Sequence, residues 1–147
     1  MGCPVCGAEL PEGATCQSVF DEFLVLELTD PGYGAVHFLT VACFMIQHER
    51  YSDEGLRWLQ PNLRAYLDEG PTNEKLRQSA RHTTNQPDRA WKVLRAADAS
   101  PLPMIAWVMT LADVAGHFSD ADAYGDLIRQ WARTSLRQLA EAGLAPA

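Results

Sequence analysis

From Ala14 to Leu28, Cys16, Phe20, Phe23 and Glu27 recur at spacings of four, three and four, which is one face of an α-helix. Thr15 can cap this helix, with Ser18 three positions on. Thr29-Asp30-Pro31-Gly32-Tyr33 then breaks the pattern. A second helix is predicted from about Gly34 to His48, with His37, Val41, Phe44 and His48 on one face. It is apolar nearly all round (Val36, Phe38, Leu39, Ala42, Met45, Ile46), the pattern of a central, buried helix. Ser52-Asp53-Glu54 starts a third helix, which Leu56, Leu59, Leu63 and Leu67 carry to Gly70-Pro71. Pro61 should kink this helix or split it in two.

A polar helix is predicted over Asn73 to His82, followed by a long loop, 83–103, with prolines at 87, 101 and 103. Met104–Val108 reads as a short extended piece. Thr110 with Asp113 resembles a capping box for a short helix to about Ala115, and Ser119 with Asp122 does the same for a long last helix ended by Gly143. The fold class expected is all-α: an irregular bundle of five or six helices around the second one, preceded by the irregular loop of residues 1–13.

Composition changes this picture little. Of 147 residues, 47% are hydrophobic and 21% charged, enough to bury a core. Twelve Lys+Arg against 19 Asp+Glu give a net charge of −7, and such a surface repels polyanions, so nucleic acid is not expected as a partner. No apolar run approaches the ~20 residues of a membrane span, and the N-terminus lacks the basic and apolar regions of an export signal. The expectation is one domain over 1–147, in the cytoplasm, that meets a protein or a small molecule.

Cysteine changes it more. Cys3-Pro4-Val5-Cys6-Gly7 is the turn of a zinc knuckle: two thiolates two residues apart grip one metal, and glycine permits the left-handed backbone that turns amides towards the sulfurs. Cys16 follows at the first turn of helix one, where the helix N-terminus favours a thiolate. A thioredoxin-like redox motif is the main competitor, but it needs a preceding strand that two residues cannot supply.

Three thiolates call for a fourth ligand, and His37, Cys43, His48, His82 and His117 are available. A short turn between helices one and two makes them antiparallel neighbours. Cys16 then faces His48, Phe20 faces Phe44, Phe23 faces Val41 and Glu27 faces His37. The two histidines are about 16 Å apart along the axis, so they cannot share an ion. His48 is the favoured fourth ligand, with His37 and Cys43 as alternatives; Cys43 points to another face and suits core packing. Segment 1–16 is then a zinc-knuckle segment packed on the first helical hairpin.

Glu27 and His37 form a second constellation, either a structural pair or part of an active site, which Asp30 and Tyr33 could join. His82 and His117 suit solvated or capping roles, and Trp58, Trp91, Trp107 and Trp131 suit anchoring.

The runs CPVCGAELPEGATC and PGYGAVHFLTVACFMIQH and the late WARTSL resemble a bacterial domain family of unknown function. That family carries an N-terminal CPxCGA with a third cysteine, a YGxVH, a QHP and a tryptophan in its last helix. The resemblance spans most of the chain and implies Cys3, Cys6, Cys16, His37 and His48 as the family's polar positions. This sequence departs at QHP, where it reads Gln47-His48-Glu49.

The reading is a zinc-binding helical protein whose zinc is structural, because four protein ligands leave no open position for water. Such a module binds a protein or a small ligand. One alternative is an enzyme with an acid/base site around Glu27 and His37, under loop 83–103. Another is a thiol redox sensor acting through the zinc cysteines. No nucleophile triad, phosphate loop or HExxH is present.

Overall fold

The computed structural model describes residues 2–69 and 92–144. The expected helix at Asn73–His82 and the first part of loop 83–103 lie outside them. Among the described residues the fold is all-α, as the periodicity implies, with one isolated antiparallel bridge between Tyr51 and Leu94.

Helix α1 spans Cys16–Thr29, and Thr15 and Ser18 cap it reciprocally, each side chain accepting from the other's backbone amide. The breaker cluster is itself a single helical turn, α2 (Pro31–Gly34), where a plain turn was expected. Asp30 makes this possible. Its amide donates back to Leu26 to close α1, and its carboxylate accepts from the Gly32 amide to open α2, with Pro31 at a position that needs no donor. A Cβ on Gly34 would sit 2.6 Å from the Glu27 carbonyl oxygen, so only glycine lets α2 pass this close to α1.

Helix α3 spans His37–Gln47, starting later than the expected Gly34, and buries seven of its 11 residues. It ends in a Schellman turn: the Glu49 amide donates to Ile46 O (3.2 Å) and the Arg50 amide to Met45 O (2.9 Å). Glu49 takes the left-handed backbone of this turn, at φ 56°. Glycine is the usual residue there, and an L-side chain costs roughly 1–2 kcal/mol. A proline at 49, as in the motif this sequence resembles, cannot reach that φ.

Helix α4 runs through Asp53–Glu69 as one element. Ser52 caps it, accepting from the Gly55 amide. Of the two outcomes expected of Pro61, a kink or a split, the split does not occur. Pro61 is exposed, while Leu56, Leu59 and Leu63 on the opposite side are buried. Burial of that continuous stripe offsets the missing hydrogen bond.

Segment 104–108 forms no strand; Gln138 holds it, donating to Ala106 O and accepting from the Val108 amide, each at 2.9 Å. The Thr110–Asp113 capping box is present but closes only a 3-10 turn, Leu111–Asp113. The last helix, α5 (Ala121–Glu141), is capped by Asp120 and not by Ser119, because the Asp120 carboxylate accepts from the Ala123 amide. Gly143, at φ 79°, ends it.

The core gathers around α3. Leu39 of α3, Leu59 and Leu63 of α4, and Tyr124, Ile128 and Trp131 of α5 are fully buried. Between α1 and α3, Phe20 and Phe44 stack face to face, with ring centroids 4.0 Å apart and planes within 4°.

Two substitutions should shift stability in opposite directions. Gly34→Ala forces backbone apart and is expected to cost about 1–3 kcal/mol. Glu49→Gly relieves the left-handed glutamate and should add up to about 1 kcal/mol. Urea unfolding of both variants beside the parent chain checks each sign.

Candidate metal centre

The local structure of residues 2–16 follows from one glycine and one cap. Gly7 is left-handed (φ 81°) and its amide donates to Cys3 O (2.8 Å), while the Cys3 amide donates to Ala8 O (2.9 Å). This tight turn puts the Cys3 and Cys6 side chains on the same side. Cys16 is the first residue of α1, presented there by the Thr15 cap. Cys6 and Ala8 are buried in the core, and Cys3 and Cys16 are half-buried.

His48 caps α3 at its C-terminus. Its Nδ1 is 2.8 Å from Phe44 O, and a carbonyl can only accept, so Nδ1 donates. The proton is thereby fixed on Nδ1 and Nε2 keeps a free lone pair. That is the tautomer a metal-ligating imidazole needs, with the orienting hydrogen bond on its other nitrogen. The ring also stacks on Phe44, centroids 4.2 Å apart.

The four side chains converge. The ligand atoms of Cys3, Cys6, Cys16 and His48 all lie within 4.8 Å of one another. Cys6 Sγ and Cys16 Sγ are 3.6 Å apart, and Cys3 Sγ is 3.9 Å from His48 Nε2. Metal–sulfur bonds of about 2.3 Å in a tetrahedron imply donor separations of about 3.8 Å, so the observed spacing suits one tetrahedral ion. The group could hold a metal ion. His37 and Cys43, the alternative fourth ligands, are not part of it; Cys43 is fully buried and its thiol meets Ser135.

Electrostatics divides the thiols. Burial pushes Cys3 up, but the amides of Cys6 and Val5 and the neighbouring thiols outweigh it and leave Cys3 below the ordinary range. Burial pushes Cys6 up, against the Ala8 amide, and pushes Cys16 up further, with Cys6 and Cys3 adding to it. His48 is held below the ordinary range by burial, then by Arg50. A neutral imidazole is the ligating form, and a metal ion would displace the remaining thiol protons.

Glu27 and His37 meet as expected, at the far end of the same helix pair. His37 Nδ1 is 2.8 Å from Glu27 Oε1. Neither Asp30 nor Tyr33 joins them. Asp30 is committed to its two caps, and Tyr33 packs its ring on Tyr124 and Phe118. Thr40 and Tyr124 take their place, each hydroxyl donating to Glu27 Oε2 at 2.5 Å. Burial, then the bond to Glu27 and its charge, push the Tyr124 hydroxyl up. The Glu27 side chain is wholly buried, while that of His37 is 41% exposed. Residues 101–103 of the proline-rich loop, with Met104 and Ile105 after them, do not cover this end. They line a cavity at the opposite end of α3, beside Gln47 and Glu49.

The comparison with protein families decides the classification. The chain belongs to DUF5946. This is a family of unknown function, and the match covers residues 1–140. No curated protein and no solved structure matches the chain. The DUF5946 match includes all four donors, the Glu27–His37 pair and Tyr124. No helix among the described residues is long and apolar enough to cross a membrane.

Tyr124→Phe removes one of three donors from a buried carboxylate. The expected cost is about 1–3 kcal/mol, read as a lower midpoint in thermal unfolding, with metal content unchanged because Tyr124 lies at the other end of α3.

Proposed function

We propose that this chain is a zinc-stabilised binding protein in which Cys3, Cys6, Cys16 and His48 hold one structural zinc ion. The observation that carries the reading is the convergence of three thiols and one pre-oriented imidazole within 4.8 Å. Soft sulfur and imidazole donors favour zinc over calcium or magnesium, which prefer oxygen. Four protein ligands close the coordination shell, so the ion ties residues 3–16 to the end of α3 and offers no position to substrate. Reduced thiols of this kind belong to the cytoplasm, where we place the protein.

A second reading, an acid/base enzyme centred on His37, draws on one observation: Glu27 orients a ring that is 41% exposed. The complete set of donors around Glu27 equally serves to satisfy a buried carboxylate.

Elemental analysis of untagged chain should give about one zinc per chain under the four-ligand rule. Cys6→Ser and His48→Ala should lose the metal, and His37→Ala should keep it. Zinc lost from His37→Ala but kept by His48→Ala would overturn the assignment of both sites. Leu39, Leu59, Leu63, Tyr124, Ile128 and Trp131 bury a core of their own beyond the metal ligands, so the metal-free chain should be weakened and not unfolded. At zinc 100–1,000 times its dissociation constant, removal costs about 2.7–4.1 kcal/mol, a fall in midpoint of roughly 9–13 °C for a chain of this size. An unchanged melting curve with zinc retained in Cys6→Ser would show that Cys6 is not a ligand.

A further inference from the structure

The residues interleaved with the four donors share a second feature. Pro4 and Val5 lie between Cys3 and Cys6, and Gln47 and Glu49 flank His48. All four line one cavity of about 220 Å³, whose other side is formed by segment 101–105 and Trp107. The cavity is below the ~300–1,000 Å³ of drug-sized ligand sites, so its occupant is small.

Most of the lining side chains are apolar, and the two that carry acceptor oxygens are Gln47 and Glu49. Gln47 is 1% exposed; its Nε2 donates to Met109 O (2.8 Å) and to the Ser135 hydroxyl (3.1 Å), and its Oε1 has no hydrogen-bond partner among the described residues. A buried acceptor left open in this way is rare and calls for a donor. Among the described residues Glu49 is the only charged one of the lining, and it has no ion-pair partner there. It also stands where glycine would fold better, at φ 56°. Trp107 is half-buried and adds an aromatic surface of the kind that attracts cations. Among the described residues no lysine or arginine lines the cavity.

We propose that this cavity binds a small apolar molecule carrying a protonated amine, and that the metal site holds its near wall in place. The apolar body takes the walls, and the ammonium group supplies the positive charge that Glu49 calls for. This deepens the binding-protein reading, and only the part played by the metal depends on it.

The test is a two-dimensional amide NMR titration of the zinc-loaded full chain with 2-phenylethylamine and, separately, 3-phenylpropionate. The two share a ring and a short apolar tether and differ in the sign of their charge. The amine should shift the signals of Val5, Glu49 and Ile105 and bind about five-fold tighter than the acid, the scale of one partly exposed charge contact. Glu49→Gln should bring that ratio to about one, with the fold intact. Met104→Lys places a competing cation on a side chain that is 90% exposed and should weaken amine binding several-fold. Chelated chain, its zinc loss verified by elemental analysis, should lose the preference.

Equal affinity for amine and acid, no shifts at all, or shifts confined to other residues overturn the site. Such a result with zinc present leaves the metal reading standing. Amine preference that survives verified zinc removal overturns the part given to the metal. Amine preference in a chain that never contained zinc overturns the metal reading and upholds the site.

Discussion

The face-to-face stack of Phe20 on Phe44 sets the register between α1 and α3, and both polar constellations depend on that register. Towards the start of α1, Cys16 arrives beside His48. Towards its end, Glu27 arrives beside His37. One residue of slip on either helix turns its side chains by about 100° and scatters both sets together. The donor group and the buried carboxylate are therefore two ends of a single packing decision, made by an apolar ring pair between them, whose Phe44 also orients His48.

Much of this was legible because it repeats at helical spacing. The three-and-four rhythm of Cys16, Phe20, Phe23 and Glu27, set against that of His37, Val41, Phe44 and His48, placed Cys16 opposite His48, Phe20 opposite Phe44 and Glu27 opposite His37. The CPxCG turn announced its own chemistry through the spacing of two thiols and a left-handed glycine. What escaped reading depends on groups far apart in sequence. Tyr124 reaches Glu27 across 97 residues, and only the docking of α5 brings it there. Asp30 and Tyr33 drew attention because they are close to the pair in sequence, yet local caps and ring packing claim them.

Other misses are contests between local propensity and tertiary burial. Pro61 is a helix breaker by its own chemistry, but a buried leucine stripe on both sides of it carries α4 through. The cluster Thr29–Tyr33 reads as a stop and is one, yet Asp30 makes the stop of one helix the start of the next. The left-handed Glu49 is the least legible of all, since a Schellman turn is recognised by a glycine that this sequence does not have.

The distribution of partners along the chain also implies an order of assembly. Proteins emerge from the ribosome N-terminus first. Every donor of the four-residue group precedes Glu49, so that group can close while α4 and α5 are still being made. Glu27 is different. It has Thr40 and His37 early, but its third donor sits on the last helix. Until α5 docks, a carboxylate destined for the interior is one hydrogen bond short, and this unmet need favours the final docking over any other place α5 could settle. The hairpin can thus be complete at its cysteine end while its carboxylate end still waits for the last helix.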